Sequence, residues 1–305
     1  MKVGIVGAGL VGSAAAFSML LRGSCNEIVL VDKDEAKAAA QAADIGDAAP
    51  VTHATRVTAG DFHDLRGSAV VVLAAGLNQK PGQDRQEMLE NNAAIYREVV
   101  PEVVQAAPDT VMVVATTPVD VMTSLAVRLA GPSWAGRVFG TGTVLDTARL
   151  RAAIAARAGL DPSHVHSYVI GEHGASEVLA WSLADIAGLP LEGHFAMRGL
   201  PWNHGLRNEI TDEVKRAAAR IVEGKGATSY SVGASIARIA EAVLDDAHAV
   251  LTVSSPTEPY GVAVSLPRLI GAGGVLSTFD MPLAPAEALA LEASAGQLRE
   301  VIARL

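Results

Sequence analysis

The chain has 305 residues, half of them apolar and 19% charged, with a formal net charge of −9. That balance fits a globular protein of about two domains, and the negative charge argues against nucleic acid or an anionic membrane as a partner. Cys25 is the single cysteine, so an intrachain disulfide is excluded and the cytoplasm is the expected compartment.

Taken in chain order, the first half alternates short apolar runs with helical periodicity. "KVGIVGAG" (2–9) reads as a buried strand, "VGSAAAFSMLLRG" (11–23) as a helix ending near glycine, "EIVLVD" (27–32) as a strand and "DEAKAAAQAADIGDA" (34–48) as a helix. "AVVVLAAG" (69–76), "TVMVVATT" (110–117) and "GRVFGTG" (136–142) are further strands. Continuous β-branched runs suit strands buried on both faces, and the alternation predicts a Rossmann-type, doubly wound parallel sheet. No secretory leader is read at the start, and the longest apolar stretches are too short to span a bilayer.

The second half reads as α+β. Helices are expected over 146–160, 207–226, 231–247 and 284–305, and a strand over 164–171. Segments 249–255 and 261–271 could pair antiparallel across "PTEPYG". No repeat or linker intervenes. The division expected is a nucleotide-binding domain over 1–143 and a substrate-binding catalytic domain over 144–305.

"GAGLVG" supplies Gly7, Gly9 and Gly12 between a strand and a helix, and Asp32 follows at the end of the second strand. In that context the glycines predict a dinucleotide loop. Gly7 makes the tight turn, Gly9 lets backbone approach a pyrophosphate, and Gly12 lets helix and strand pack closely. Asp32 would bond the ribose hydroxyls and repel a 2′-phosphate, which favours NAD over NADP.

Four polar segments are not required by an apolar sheet: "NQKPGQDR" (78–85), "TTPVD" (116–120), "VLDTAR" (144–149) and "GEHG" (171–174). Together with the glycine loop, in order and spacing over essentially the whole chain, they resemble the L-lactate/malate dehydrogenase family, and within it the bacterial L-lactate dehydrogenases. The resemblance implies hydride transfer between NADH and a 2-keto acid. It makes His173 the proton carrier, for which an ordinary imidazole pKa is suited. Asp146 would hold its other ring nitrogen; read alone, Asp146 fits a helix N-cap equally well. Arg149, three residues on, would fork onto the substrate carboxylate. Arg85 would polarise the keto oxygen from a lid containing a Pro-Gly turn. Thr228 would face the far end of the substrate, and Val232, one helical turn on, the nicotinamide. Gln79 is the specificity position: a neutral amide there goes with pyruvate and lactate, whereas arginine goes with malate and oxaloacetate.

Two positions depart from the pattern. Thr117 stands where the family has asparagine, and Ala175 where it has aspartate. His164 and His166 share one face of an expected strand, but no ligand cluster accompanies them and no metal is assigned. By resemblance, Arg151 and His166 match residues that bind the activator fructose 1,6-bisphosphate across a subunit interface, and the assembly implied is a homotetramer. The expected activity is that of an NAD-dependent L-lactate dehydrogenase. The alternatives are a malate or broad-specificity L-2-hydroxy acid dehydrogenase, or a catalytically weak NAD-binding regulatory protein.

Overall fold

The structure is a computed structural model; it describes residues 1–77 and 85–305, and of Arg85 the backbone. Its first half runs β1 (Lys2–Val6), α1 (Leu10–Arg22), β2 (Glu27–Val31), α2 (Glu35–Asp47), β3 (Arg56–Ala59), β4 (Val70–Leu73), α3 (Arg85–Ala106), β5 (Val111–Val114), α4 (Val119–Ala130) and β6 (Val138–Gly140). The second half continues with α5 (Val144–Ala158), β7 (Val165–His166), β8 (Val169–Ile170), β9 (Val178–Leu179), β10 (Asp185–Ile186), β11 (Leu189–Pro190), α6 (Leu191–Met197), α7 (His204–Lys215), α8 (Ala217–Lys225) and α9 (Tyr230–Leu244). It ends with β12 (Ala249–Leu251), β13 (Ser254–Thr257), β14 (Val262–Ser265), β15 (Arg268–Gly271), β16 (Gly274–Thr278) and α10 (Pro285–Ile302).

The main sheet has the order β14-β13-β6-β5-β4-β1-β2-β3. From β3 to β6 all pairings are parallel, and β13 and β14 extend the β6 edge antiparallel. Every residue of β4 and β5 is buried, and their alternating side chains divide between two cores. Val71, Leu73, Met112 and Val114 pack with Tyr96 of α3, Leu125 of α4 and Leu291 of α10. Val70, Val72, Val111 and Val113 pack with Met19 of α1 and Ile236 and Ile239 of α9. Burial on both faces therefore explains the unbroken apolar runs. A third core gathers Leu150, Ile154, Phe195, Ile210 and Val214 from α5, α6 and α7.

Some expectations change. The helix expected over 207–226 is two helices, α7 and α8, meeting at Arg216. The strand expected over 164–171 is divided between β7 and β8, which pair in different sheets, and His164 ends a 3₁₀ turn rather than lying on a strand. The two segments flanking "PTEPYG" do pair antiparallel as β13 and β14, but their outer parts form β12 and β15 in a separate sheet. Strand β3 had no reading in the sequence. Among the described residues, no helix is long and apolar enough to cross a membrane.

Candidate active site

The chain leaves β1, β2, β4 and β5 at the same edge of the sheet, because these strands are parallel. The glycine loop, Asp32, Ala74–Leu77 and Thr116–Pro118 therefore converge there, as the crevice rule for open α/β sheets requires. Gly7 has φ +105°, and a Cβ on it would lie 2.5 Å from the Ala75 backbone nitrogen. A Cβ on Gly12 would lie 1.9 Å from the Gly7 carbonyl oxygen, so α1 starts as close to β1 as backbone permits. Above Gly9 there is space: the nearest atom to its absent Cβ is Lys37 Nζ at 4.0 Å. Gly9 is the N-cap of α1 and offers no side-chain cap, which leaves first-turn N–H groups for an anion. Asp32 Oδ2 accepts from Ala8 N at 2.8 Å, and Oδ1 accepts from Asp34 N at 3.1 Å. Burial opposes its charge, but these donors and Lys37 hold its pKa below the usual carboxylate value. A charged acid fixed beside an open, N–H-lined loop fits the diphosphate and ribose of NAD.

His173 lies in the loop joining β8 to β9. Its Nδ1 is 2.5 Å from Asp146 Oδ2, and Arg149 Nη1 donates to the other oxygen, Oδ1, at 2.7 Å. Asp146 sits in the first turn of α5, whose N-cap is Thr143. The carboxyl thus serves the imidazole and the guanidinium, and the N-cap alternative is set aside. One turn of helix places Asp146 and Arg149 on the same face. Burial opposes the imidazolium, but Asp146, through its charge and hydrogen bond, with Asp120 and Glu177 adding charge, raises the His173 pKa to about 9. Burial likewise opposes the Asp146 charge, yet His173 and Arg149 hold its pKa below the ordinary value. With Nδ1 directed at Asp146, Nε2 is left to exchange a proton.

Two acids that sequence reasoning did not single out also belong here. Asp120, the last residue of "TTPVD", is buried at the start of α4. It accepts from His173 N at 2.7 Å and from Ser254 Oγ at 2.6 Å, and burial raises its pKa to about 6. Glu177, four residues past His173, is 6% exposed, and its Oε1 has no hydrogen-bond partner among the described residues. Burial and the neighbouring Asp146 charge raise its pKa to about 7. An acid close in sequence to a candidate histidine was the available signal for Glu177; for Ser254 there was none.

The other expected residues are placed as follows. Thr117 is exposed between β5 and α4, and its carbonyl accepts from the buried amide of Asn92 at 2.9 Å. Thr228 lies in the loop before α9, and Val232 is within α9. Hydrogen bonds among the described residues do not join either to the His173 cluster. Gln79 lies outside the described residues. Arg85 begins α3, and its side chain also lies outside them. Arg151 is half-buried, donates to Ser167 O at 3.2 Å and lies 5.6 Å from the Tyr168 ring centre; burial lowers its pKa. His166, next to that serine, is exposed on β7. Among the described residues, no group of three or more His, Cys, Asp or Glu residues could hold a metal ion.

Known proteins resemble this chain along its whole length. Residues 1–140 match the lactate/malate dehydrogenase NAD binding domain, and residues 143–305 match the alpha/beta C-terminal domain of the same family. An L-lactate dehydrogenase of Deinococcus radiodurans is 54% identical over 299 residues, covering 98% of this chain and 97% of that protein. One from Thermus aquaticus is 48% identical, with 98% and 97% covered. The crystal structure of the minor L-lactate dehydrogenase from Enterococcus mundtii, in a ligand-bound form, superposes with a TM-score of 0.94 at 36% identity, covering 100% of this chain and 98% of that one. A dinucleotide loop on a 3-2-1-4-5-6 sheet, joined to a carboxylate–imidazole–guanidinium cluster, is thus matched along the whole chain: it belongs to the lactate/malate dehydrogenase family, whose members are NAD-dependent oxidoreductases acting on CH–OH groups.

Proposed function

We propose that this chain is an L-lactate dehydrogenase, interconverting pyruvate and L-lactate. The observation that carries the reading is the His173–Asp146–Arg149 cluster, in which one carboxylate orients both a proton carrier and a carboxylate-binding guanidinium. The nicotinamide cofactor, when bound, supplies or accepts the hydride. In the reducing direction His173 Nε2 gives its proton to the keto oxygen, and Asp146 stabilises the imidazolium beforehand. Arg149 uses Nη1 on Asp146 and offers its remaining edge to the substrate carboxylate. Arg85 would polarise the keto oxygen. Gln79 and Thr228 would bound the methyl end, Thr117 would bond the substrate oxygen, and Val232 would help hold the nicotinamide. Asp32 selects NAD by charge.

The same reading divides the chain at 143/144 and places it in the cytoplasm, with no nucleic-acid or membrane partner. It assembles the chain as a homotetramer. Exposed Leu10, Phe17 and Leu21 on α1 support an association surface. Arg151 and His166 hold fructose 1,6-bisphosphate; the bond from Arg151 to the carbonyl of Ser167, the residue after His166, supports their proximity. The effector should lower the KM for pyruvate, and Arg151→Gln should remove that response; a wild type that ignores it rejects the site. The activity itself is tested with His173→Ala. We expect NADH-dependent pyruvate reduction in the wild type, loss of turnover in the variant, and unchanged NADH affinity. Unimpaired reduction by the variant would sink the mechanism.

A further inference from the structure

Helix α10 buries Leu291, Ser294, Ala295 and Leu298, an i, i+3, i+4, i+7 stripe that is apolar except for one hydroxyl. Ser294 is fully buried. A helical serine ordinarily satisfies its hydroxyl on the carbonyl four residues back, as Ser13, Ser124, Ser235, Thr123 and Thr211 do in this molecule. The bonds of Ser294 instead leave the helix. Its Oγ accepts from Glu172 N at 2.9 Å and lies 2.8 Å from Ser176 Oγ. Ser176 Oγ donates to Glu172 Oε2 at 2.5 Å, which uses its only hydrogen, so the Ser294 hydroxyl must donate to Ser176. Each donor in this ring has one acceptor, and the ring encloses His173 in sequence: Glu172 precedes it and Ser176 follows it.

The backbone is shaped for this contact. Gly171 has φ +87°, and a Cβ there would lie 2.9 Å from Ser294 Oγ; glycine lets the loop reach the helix. A Cβ on Gly174 would lie 3.0 Å from Glu172 Cδ, so the loop folds over the Glu172 side chain. Farther along the same segment, Ser182 N donates to Glu287 Oε1 of α10 at 3.0 Å. The terminal helix therefore holds the loop at Glu172 and Ser176, on either side of His173, and holds the chain again at Ser182, beyond β9.

We infer that Ser294 is a positioning residue for His173: the terminal helix, through this hydroxyl, sets the height of the loop and so the approach of the imidazole to Asp146. The inference rests on His173 being the proton carrier, as proposed above. The charged groups that act on His173 are Asp146 of α5, Asp120 of α4 and Glu177 of its own loop; behind them, Arg149 bonds Asp146, Lys215 of α7 acts on Glu177, and Glu172 acts on Asp120. Ser294→Ala changes none of these residues and removes the brace that Glu172 N and Ser176 Oγ share.

The test compares wild type, Ser294→Ala, Ser176→Ala and His173→Ala as full-length protein. Pyruvate reduction is followed against pH, with NADH affinity by fluorescence and thermal midpoint alongside. Ser294→Ala is expected to lower kcat/KM about tenfold, the worth of one buried hydrogen bond. It should also move the alkaline fall of kcat/KM down by about half a pH unit or more, as His173 loosens from Asp146. NADH affinity should stay unchanged, since the glycine loop lies on other elements. Ser176→Ala keeps the Glu172–Ser294 bond and should lose less. A Ser294→Ala enzyme with the wild-type pH profile overturns the inference, whether its rate is normal or reduced in step with the thermal midpoint. Activity in His173→Ala would instead overturn the proton-carrier reading, which separates the two failures.

Discussion

At the scale of residues, the central group is His173, whose pKa near 9 fixes the sign of the pH dependence. Pyruvate reduction needs the imidazolium, so its kcat/KM should be level below about pH 9 and fall above it; L-lactate oxidation needs neutral imidazole and should rise through the same range. Asp146→Asn removes the main charge that raises the pKa. Both limbs should move toward the ordinary imidazole range, and turnover should drop by roughly 10²-fold or more. Limbs that stay in place would show that Asp146 does not set the charge on His173. If Thr117 meets the substrate oxygen as proposed, Thr117→Asn puts a longer amide there and is expected to raise turnover on pyruvate; a lower rate would show a site built around threonine. His173, Asp146 and Arg149 were legible because each stands in a short motif. The partners of Asp120 and Ser294 were not: Ser254 lies 134 residues from Asp120 and Glu172 lies 122 from Ser294, and no local spacing records such pairs.

At the scale of elements, the β1–α1 turn is held by backbone-to-backbone packing. Gly12→Ala puts a methyl against the Gly7 carbonyl, so α1 must lift and the phosphate-facing N–H groups move with it. NADH affinity should weaken by about tenfold or more, as overpacking of a tight contact implies. Gly224→Ala is the control, because its Cβ meets nothing within 4 Å on α8; it should leave NADH binding unchanged and add up to about 1 kcal/mol of stability. Equal effects from the two substitutions would mean that glycine content rather than geometry matters. Asp32→Ala should weaken NADH binding and narrow the NADH-over-NADPH preference, measured as a ratio of dissociation constants; an unmoved ratio would remove Asp32 from the ribose. Strands β1, β2, β4, β5 and β6 were legible because two-faced burial writes itself as unbroken apolar runs, whereas β3, exposed at both ends, carries no such run. The break between α7 and α8 was not, since Arg216 interrupts strong helix formers, "EVKRAAAR", without glycine or proline. Strand existence was likewise clearer than strand partner: periodicity assigned 249–255 to a strand but not its sharing between two sheets.

At the scale of the whole molecule, the parallel sheet supplies the cofactor edge and the second half supplies the acid–base group, with α4 joining them through Asp120 and His173. The central claim is that this combined site is built for a monocarboxylate 2-keto acid. The proposed specificity residue, Gln79, bears on it: a neutral amide at the substrate would leave no countercharge for a second carboxylate, whereas a guanidinium at the substrate would lack a partner on pyruvate. The decisive measurement is kcat/KM for pyruvate and for oxaloacetate with NADH, in wild type and Gln79→Arg, at one pH and salt concentration. The wild type should prefer pyruvate, and the substitution should swing the ratio toward oxaloacetate by about 10²-fold or more, at about 1.4 kcal/mol per decade. A wild type that prefers oxaloacetate, or a ratio that the substitution leaves unmoved, would contradict the lactate dehydrogenase reading.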